Sequence, residues 1–170
     1  MKKPENVIKG KIAEVLILLL LEKAGNRVYN FGASSLFEEL EKKESQLDRE
    51  SDFGRKIMSL PDFIVITKNQ KPVFVEVKFR THFEALEEEL LLEKDILEKF
   101  WEAKIILLTP QKPYFRILNP PYFKKIKKEG WPIPVFNWQT LEKDPLFRIE
   151  PKIIREFEDL VAKYFKSQEA

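Results

Sequence analysis

The sequence contains no cysteine and only one histidine. Disulfide bonds and thiolate zinc sites are therefore excluded, and so is a metal site built from several histidines. A chain without cysteine is typical of a reducing compartment, and we predict a cytoplasmic protein. The length of 170 residues predicts a single domain, residues 1–170, that is large enough to bury a core of its own.

Long apolar runs and a strong net charge are also missing. The longest apolar run extends over seven residues, from Val15 to Leu21, whereas a membrane-spanning helix needs roughly 20. We therefore expect no membrane association. The formal net charge is only +2, so any contact with nucleic acid must come from local basic patches.

Three charged side chains interrupt two β-rich runs that a polar turn separates. Asp62 stands at the start of the first run, and Glu76 and Lys78 stand two residues apart in the second. Because side chains alternate along a strand, Glu76 and Lys78 are expected on the same face. Asp62 joins them only if it lies directly opposite one of them in an antiparallel hairpin.

The length of the turn decides whether these side chains converge. A two-residue turn at Asn69-Gln70 would place Asp62 opposite Val77 and would separate the charges. Asn-Gln is a poor pair for a type I′ turn, and Pro72 suits the first residue of a strand. We therefore expect an odd-length turn or a bulge, which brings two carboxylates and one ammonium into one patch.

Two carboxylates at close range repel each other unless a cation lies between them. A hard divalent ion such as Mg²⁺ takes oxygen ligands and keeps several waters. A nearby lysine can then orient or deprotonate the attacking water, or stabilise a phosphorane-like transition state. This combination indicates metal-dependent phosphodiester hydrolysis. The alternative interpretation is a surface hairpin on which Glu76, Lys78 and Arg80 form a ladder of ion pairs.

The spacing of these residues resembles that of a known family. Pro61-Asp62, followed after thirteen residues by Glu76-Val77-Lys78, is similar to the motif of the PD-(D/E)xK nuclease superfamily, which includes restriction endonucleases and archaeal Holliday-junction resolvases. The resemblance covers about residues 9–110. It implies that Asp62 and Glu76 ligate Mg²⁺ or Mn²⁺, that the Val77 carbonyl adds a ligand, and that Lys78 assists the water. It also implies a restriction-endonuclease-like α/β fold with three layers, in which helices flank a central mixed sheet.

Residues 5–24 are predicted to form a largely buried helix, with Gly25 as its C-terminal cap. Glu14 has apolar neighbours at helical spacing, and a carboxylate on a buried face needs a partner. One candidate partner is Lys11, three residues earlier. The resemblance implies another, because a glutamate of the first helix commonly joins the metal site in that superfamily and Glu14 matches its position. Gly10, one turn earlier, would let backbone or substrate approach closely.

The remaining elements follow from periodicity and capping signals. We predict a strand over residues 27–31, a helix over 36–43, a mobile loop over 44–54, a buried strand over 104–109, an edge strand over 134–138 and a closing helix over 151–166. A capping box at Thr81 and Glu84 predicts a helix from Thr81 to about Trp101. Residues 84–102 carry eight acidic and two basic side chains, a net charge of −6. This helix is therefore expected to lie away from a DNA-binding cleft or to face a protein partner. The alternative, which we favour, is a solvated surface helix.

Residues 112–128 reverse this charge balance, with six basic residues and no acidic ones. Four aromatic residues are interleaved with them, as expected for a surface that grips phosphates and stacks on unpaired bases. We expect half of these aromatics to be buried and the lysine cluster over 124–128 to be exposed. The predicted nucleic-acid-binding residues are Arg55, Lys56, Arg80, Lys112, Arg116, Lys124, Lys125, Lys127 and Lys128.

The sequence therefore predicts a Mg²⁺- or Mn²⁺-dependent nuclease whose catalytic residues are Glu14, Asp62, Glu76 and Lys78, with DNA expected as substrate ahead of RNA. The nuclease core is expected over about residues 5–110, and a basic, aromatic extension with the closing helix over about 111–166. The alternative is a catalytically silent module of the same fold that binds nucleic acid or a partner protein. The fold analogy also suggests a homodimer.

Overall fold

The computed structural model describes residues 4–33, 51–126 and 129–165, with only the backbone of residues 85, 91–95, 123–126 and 129–132. The helices are α1 (Pro4–Lys23), α2 (Asp52–Met58), α3 (Glu84–Glu93) and α4 (Pro151–Phe165). A π-helical stretch, Lys94–Glu98, continues α3, and 3₁₀ turns lie at Val135–Asn137 and Leu141–Lys143. The strands are β1 (Arg27–Asn30), β2 (Phe63–Ile66), β3 (Pro72–Phe79), β4 (Lys104–Leu108), β5 (Phe115–Leu118), β6 (Phe123–Ile126), β7 (Glu129–Pro132) and β8 (Gln139–Thr140). The predicted helix over residues 36–43 lies outside the described residues.

Six of these strands form a mixed sheet in the order β1-β2-β3-β4-β5-β8. β3 and β4 run parallel, and the other neighbours are antiparallel. A parallel pair needs a crossover connection, and α3 provides it. β6 and β7 pair with each other in a separate two-stranded antiparallel sheet. The predicted mixed α/β architecture is therefore confirmed, and none of the described helices is long and apolar enough to span a membrane.

Two apolar clusters lie on opposite faces of the sheet, because successive side chains of a strand point to opposite sides. Ile106 and Leu108 of β4 belong to the cluster that includes α1 and α4. Ile105 and Leu107 belong to the cluster that includes α3. β5 and β8 are part of the sheet and α4 is part of the first cluster, so the C-terminal third of the chain contributes to the same core.

α1 ends at Gly25, as the predicted C-terminal cap requires. Gly25 has a φ of 89°, a conformation that costs glycine little and other residues more. The N–H of Gly25 donates to the Glu22 carbonyl at 2.8 Å, and the N–H of Asn26 donates to the Leu21 carbonyl at 3.1 Å. These two bonds form a Schellman motif, which satisfies carbonyl groups at the end of the helix.

The expectation that α1 is largely buried is wrong on one face. Ala13, Leu16, Ile17, Leu20 and Leu21 are buried against the sheet and α4. Val7, Ile8, Val15 and Leu19 remain 46% to 60% exposed. α1 is apolar around most of its circumference, whereas its neighbours cover only one side of it. The exposed side chains line an apolar groove together with Leu160 and Tyr164 of α4.

The predicted mobile loop over residues 44–54 is wrong at its end. The N–H of Gly54 donates to the Ser51 hydroxyl at 2.9 Å, so Ser51 caps α2. A serine at this position satisfies an N–H group that the first turn of a helix leaves unpaired. Residues 44–50 lie outside the described part of the chain.

Two other boundaries also differ from the predictions. The predicted edge strand over 134–138 is a 3₁₀ turn, in which the Trp138 indole donates to the Ile133 carbonyl at 2.8 Å. The edge position belongs to β8, immediately after it.

α3 begins at Glu84 rather than at Thr81, and the Phe83 carbonyl accepts the N–H of Leu86 at 3.0 Å. Phe83 therefore occupies the cap position that was predicted for Thr81.

Candidate active site

The turn between β2 and β3 has an odd number of residues, as predicted. The N–H of Thr67 donates to the Lys71 carbonyl at 3.0 Å, which leaves three residues in the turn. The last of them, Gln70, has a φ of 60°. A three-residue hairpin turn commonly ends in this left-handed conformation.

The register of this hairpin brings the predicted charges together. Phe63 pairs with Val75, so Asp62, the residue before β2, lies opposite Glu76. Lys78 follows on the same face of β3, and its Nζ lies 2.9 Å from Glu76 Oε1. The convergence predicted for Asp62, Glu76 and Lys78 is therefore present.

Backbone groups of two neighbouring strands hold Asp62 in place. The N–H of Val77 donates to Asp62 Oδ2 at 2.7 Å. The Asp62 carbonyl accepts the N–H of Phe31 at 2.9 Å and the N–H of Gly32 at 3.2 Å. One main-chain bond therefore holds the Asp62 carboxyl group, and two others hold its backbone.

The electrostatic surroundings of Asp62 disfavour its ionised form. Its pKa is raised from 3.8 to about 8, chiefly by burial and then by the negative charges of Glu76 and, less, Glu14. The hydrogen bond from Val77 and the charge of Lys78 lower that pKa without outweighing the other effects. The carboxyl therefore keeps its proton at neutral pH unless a further positive charge stabilises the carboxylate.

A cleft of about 550 Å³ opens beside these residues, at the edge of the sheet where β2 begins and β3 continues beyond it. α1 contributes Gly10, Lys11 and Glu14 to its lining, and α3 contributes Glu89. The end of β3 and the segment after it contribute residues 76–81. Charged groups of both signs therefore surround an open space at one edge of the sheet.

Lys78 is only 7% exposed although it carries an ammonium group. Its Nζ lies between two carboxylates, 2.9 Å from Glu76 Oε1 and 2.9 Å from Glu89 Oε1. The second oxygen of Glu89 binds the Arg80 guanidinium. Burial raises the pKa of the Glu89 carboxyl, but the charges of Lys78 and Arg80 outweigh it and hold that pKa below its usual value. Opposite charges therefore compensate one another inside the cleft.

The expectation that the acidic helix lies away from the cleft is wrong for Glu89, which was not among the predicted site residues. Leu86 and Leu90 of α3 are buried in the cluster on the sheet. Because Glu89 lies one turn after Leu86 and next to Leu90, it stands at the border of this apolar face. That spacing is the signal by which the sequence distinguishes it from the exposed Glu88.

Glu14 pairs with Lys11 and also lines the cleft. Lys11 Nζ lies 2.7 Å from Glu14 Oε2, so the ion pair considered from the sequence is confirmed. The charge of Glu14 nevertheless contributes to the raised pKa of Asp62. A Cβ at Gly10 would meet no described atom within 4 Å apart from its chain neighbours and the nearby backbone of its own helix, so the cleft is open in front of this residue.

The donor chemistry suits a hard divalent cation. Asp62 and Glu76 offer carboxylate oxygens from adjacent strands, and a cation would relieve the repulsion that helps to raise the pKa of Asp62. Among the described residues, no group of three or more aspartate, glutamate, histidine or cysteine side chains is arranged to hold a metal ion. The further ligands expected from the resemblance, Glu14 and the Val77 carbonyl, stay predictions.

Three of the predicted nucleic-acid-binding residues belong to the cleft or to α2. Arg80 lines the cleft. Arg55 of α2 pairs with Asp52 at 2.6 Å on the surface. Lys56 Nζ lies 5.4 Å from the centre of the Phe100 ring.

The predicted binding residues of the C-terminal part differ in exposure. The Lys112 side chain is 68% exposed and lies 3.9 Å from Glu158 of α4. Arg116 of β5 is half-buried, and its guanidinium donates to the Trp138 carbonyl at 3.3 Å. The structure describes only the backbone of Lys124 and Lys125, in β6, while Lys127 and Lys128 lie outside the described residues.

The aromatic residues of this stretch belong mainly to the core. Tyr114, Phe115 and Tyr122 are buried, and the Tyr122 hydroxyl donates to the Ala103 carbonyl. We expected half of the four aromatics to be buried, and burial therefore extends to more of them than expected. The side chain of Phe123 is not among those described.

Comparison with known proteins adds no family assignment. No protein-family model matches the chain, and no curated protein sequence matches it. The resemblance to the PD-(D/E)xK superfamily therefore depends on the motif residues and their placement.

Proposed function

We propose that this protein is a divalent-metal-dependent nuclease with a restriction-endonuclease-like fold that hydrolyses phosphodiester bonds in DNA. The observation that carries the proposal is the convergence of Asp62, Glu76 and Lys78 beside one cleft. Phosphodiester hydrolysis needs an activated water and stabilisation of negative charge on the phosphate. A pair of carboxylates and a buried ammonium supply groups for both tasks.

The carboxylates are proposed as the metal-binding groups. When bound, Mg²⁺ or Mn²⁺ activates water and stabilises charge on phosphate oxygens. Asp62 and Glu76 would hold the ion, with the Val77 carbonyl and Glu14 as further ligands. The 2.7 Å bond from the Val77 N–H limits the movement of Asp62 before any ion binds.

Lys78 is proposed to stabilise the negative charge that develops on the phosphate during hydrolysis. Its ammonium lies between Glu76 and Glu89 and is shielded from solvent. An ammonium in such a site donates hydrogen bonds to the attacking water or to a phosphate oxygen, and low exposure strengthens its electrostatic effect. Charge stabilisation therefore suits Lys78 better than proton abstraction does.

Basic residues near the cleft suit a polyanionic substrate. β3 and β4 are parallel, and Phe79 pairs with Leu108, so both strands end at the same edge of the sheet. Arg80 follows β3 directly, and the exposed Lys112 follows β4 by four residues. Positive charges at one edge of the sheet can bind successive phosphates of a strand.

The proposal is tested with labelled duplex, single-stranded, flapped and four-way-junction DNAs and a matched RNA duplex. Wild type, Asp62→Asn, Lys78→Met and the control Glu88→Gln are compared with Mg²⁺, Mn²⁺ or EDTA. We expect wild type and Glu88→Gln to cut DNA only with metal, and the two site variants to lose at least about 100-fold in rate.

The second function, considered from the sequence, is a catalytically silent module of the same fold that binds nucleic acid without cutting it. If no substrate is cut while wild type and both site variants bind DNA equally, the nuclease proposal is wrong and this second function is supported.

A further inference from the structure

Glu89 connects the two basic residues at the end of β3. Its Oε1 lies 2.9 Å from Lys78 Nζ, and its other oxygen binds the Arg80 guanidinium. Leu86 and Leu90 anchor the surrounding turns of α3 in the core. The Glu89 carboxylate is therefore fixed by contacts at both oxygens and by the packing of its helix.

A second carboxylate beside Lys78 matters if Glu76 binds a metal ion, as the proposed function requires. The ammonium of Lys78 is buried, and a buried charge without a counter-charge is strongly unfavourable. A cation on Glu76 would compete with Lys78 for the same carboxylate. Glu89 is then the group that keeps the ammonium in the cleft.

We propose that Glu89 is a positioning residue, which holds the Lys78 ammonium at the cleft while Glu76 serves the metal. Arg80 supports this role because it occupies the second oxygen of Glu89 and leaves the first directed at Lys78. This inference rests on the proposed nuclease function. It gives one acidic residue of α3 a task that its exposed neighbour Glu88 does not share.

Kinetics of Glu89→Gln, Glu89→Asp and the matched control Glu88→Gln test the positioning role. We expect Glu89→Gln to lower kcat at least tenfold, on the order expected for a misplaced catalytic group. KM for DNA should stay equal or fall, because a negative charge near the phosphates is removed. Glu89→Asp should recover part of kcat, and Glu88→Gln should match wild type. An unchanged kcat, or an equal loss in Glu88→Gln, would overturn the inference.

A double-mutant cycle without metal or substrate tests the same contact independently of activity. Thermal unfolding in EDTA is measured for Lys78→Met, Glu89→Gln and the double variant. If the two side chains stabilise each other, the loss of Tm in the double variant should be smaller than the sum of the single losses by at least about 3 °C. Additive losses would overturn the positioning role. An inactive wild type, by contrast, would overturn the proposed function while this cycle still reports on the pair.

Discussion

The backbone N–H of Val77 donates a hydrogen bond of 2.7 Å to the carboxyl group of Asp62. This bond joins the start of β2 to the strand that carries Glu76 and Lys78. The main chain therefore fixes the relative position of the motif residues even though the charges of Asp62 and Glu76 oppose their approach.

Without metal, Asp62 should make stability fall as the pH rises. Its pKa is 3.8 in a free side chain and about 8 in the folded protein, so the folded state binds the proton more tightly than the unfolded state. The resulting stabilisation is complete below pH 3.8 and is lost as the pH rises through 8. Asp62→Asn removes this dependence.

Thermal unfolding in EDTA at pH 5 and pH 8.5 checks the sign. When the pH rises from 5 to 8.5, the Tm of wild type should fall by at least about 3 °C more than the Tm of Asp62→Asn. The exposed Asp52 gives the matched control, and the Tm of Asp52→Asn should fall as much as that of wild type. A difference between Asp62→Asn and wild type that stays constant with pH would show that the Asp62 pKa is not raised.

Gly10→Ala should separate folding from substrate binding. Gly10 lies inside α1, and an added Cβ meets no described atom within 4 Å apart from its chain neighbours and the nearby backbone of α1. Alanine should therefore stabilise the free protein by about 1 kcal/mol, through its higher helix propensity. If DNA lies over this part of the cleft, the same methyl group should lower kcat/KM severalfold. Calorimetry and cleavage rates measure the two effects, and a lower Tm would contradict the open space at Gly10.

Lys112 and Arg116 should respond differently to substitution. Lys112→Ala should weaken DNA binding about two- to tenfold and reduce the slope of log K against log salt by about one, because an exposed phosphate contact is lost. Arg116→Met should instead lower the Tm, since the guanidinium binds the Trp138 carbonyl. Fluorescence anisotropy at several salt concentrations, with thermal unfolding alongside, distinguishes these outcomes. An equal change of salt slope in both variants would contradict the assignment.

Local features of the fold could be predicted from the sequence. Gly25 marked the end of α1, and Pro72 with the poor turn pair Asn69-Gln70 indicated an odd-length turn. These features depend on neighbouring residues, so capping and turn rules describe them well. The convergence of Asp62, Glu76 and Lys78 follows from that turn, since strand register propagates from it.

Features set by contacts between distant segments could not be predicted. Glu89 reaches Lys78 because α3 packs across the sheet, a contact that no local pattern contains. The burial of Tyr114 and Tyr122 follows from the positions of β5 and α3, whereas their sequence context resembles a basic surface. The exposure of one face of α1 likewise depends on how much of α1 is covered by α4.

The central claim is that Asp62 and Glu76 form a divalent-cation site, and titration with Mn²⁺ tests it without any choice of substrate. Calorimetry at pH 8 compares wild type, Asp62→Asn, Glu76→Gln and the control Glu88→Gln. Saturable binding is expected in wild type and Glu88→Gln, and it should be at least about tenfold weaker in the two site variants. Binding should also strengthen from pH 6 to pH 8, because the ligands must lose their protons. Mn²⁺ binding that is equal in all four proteins, or absent from wild type, would contradict the claim.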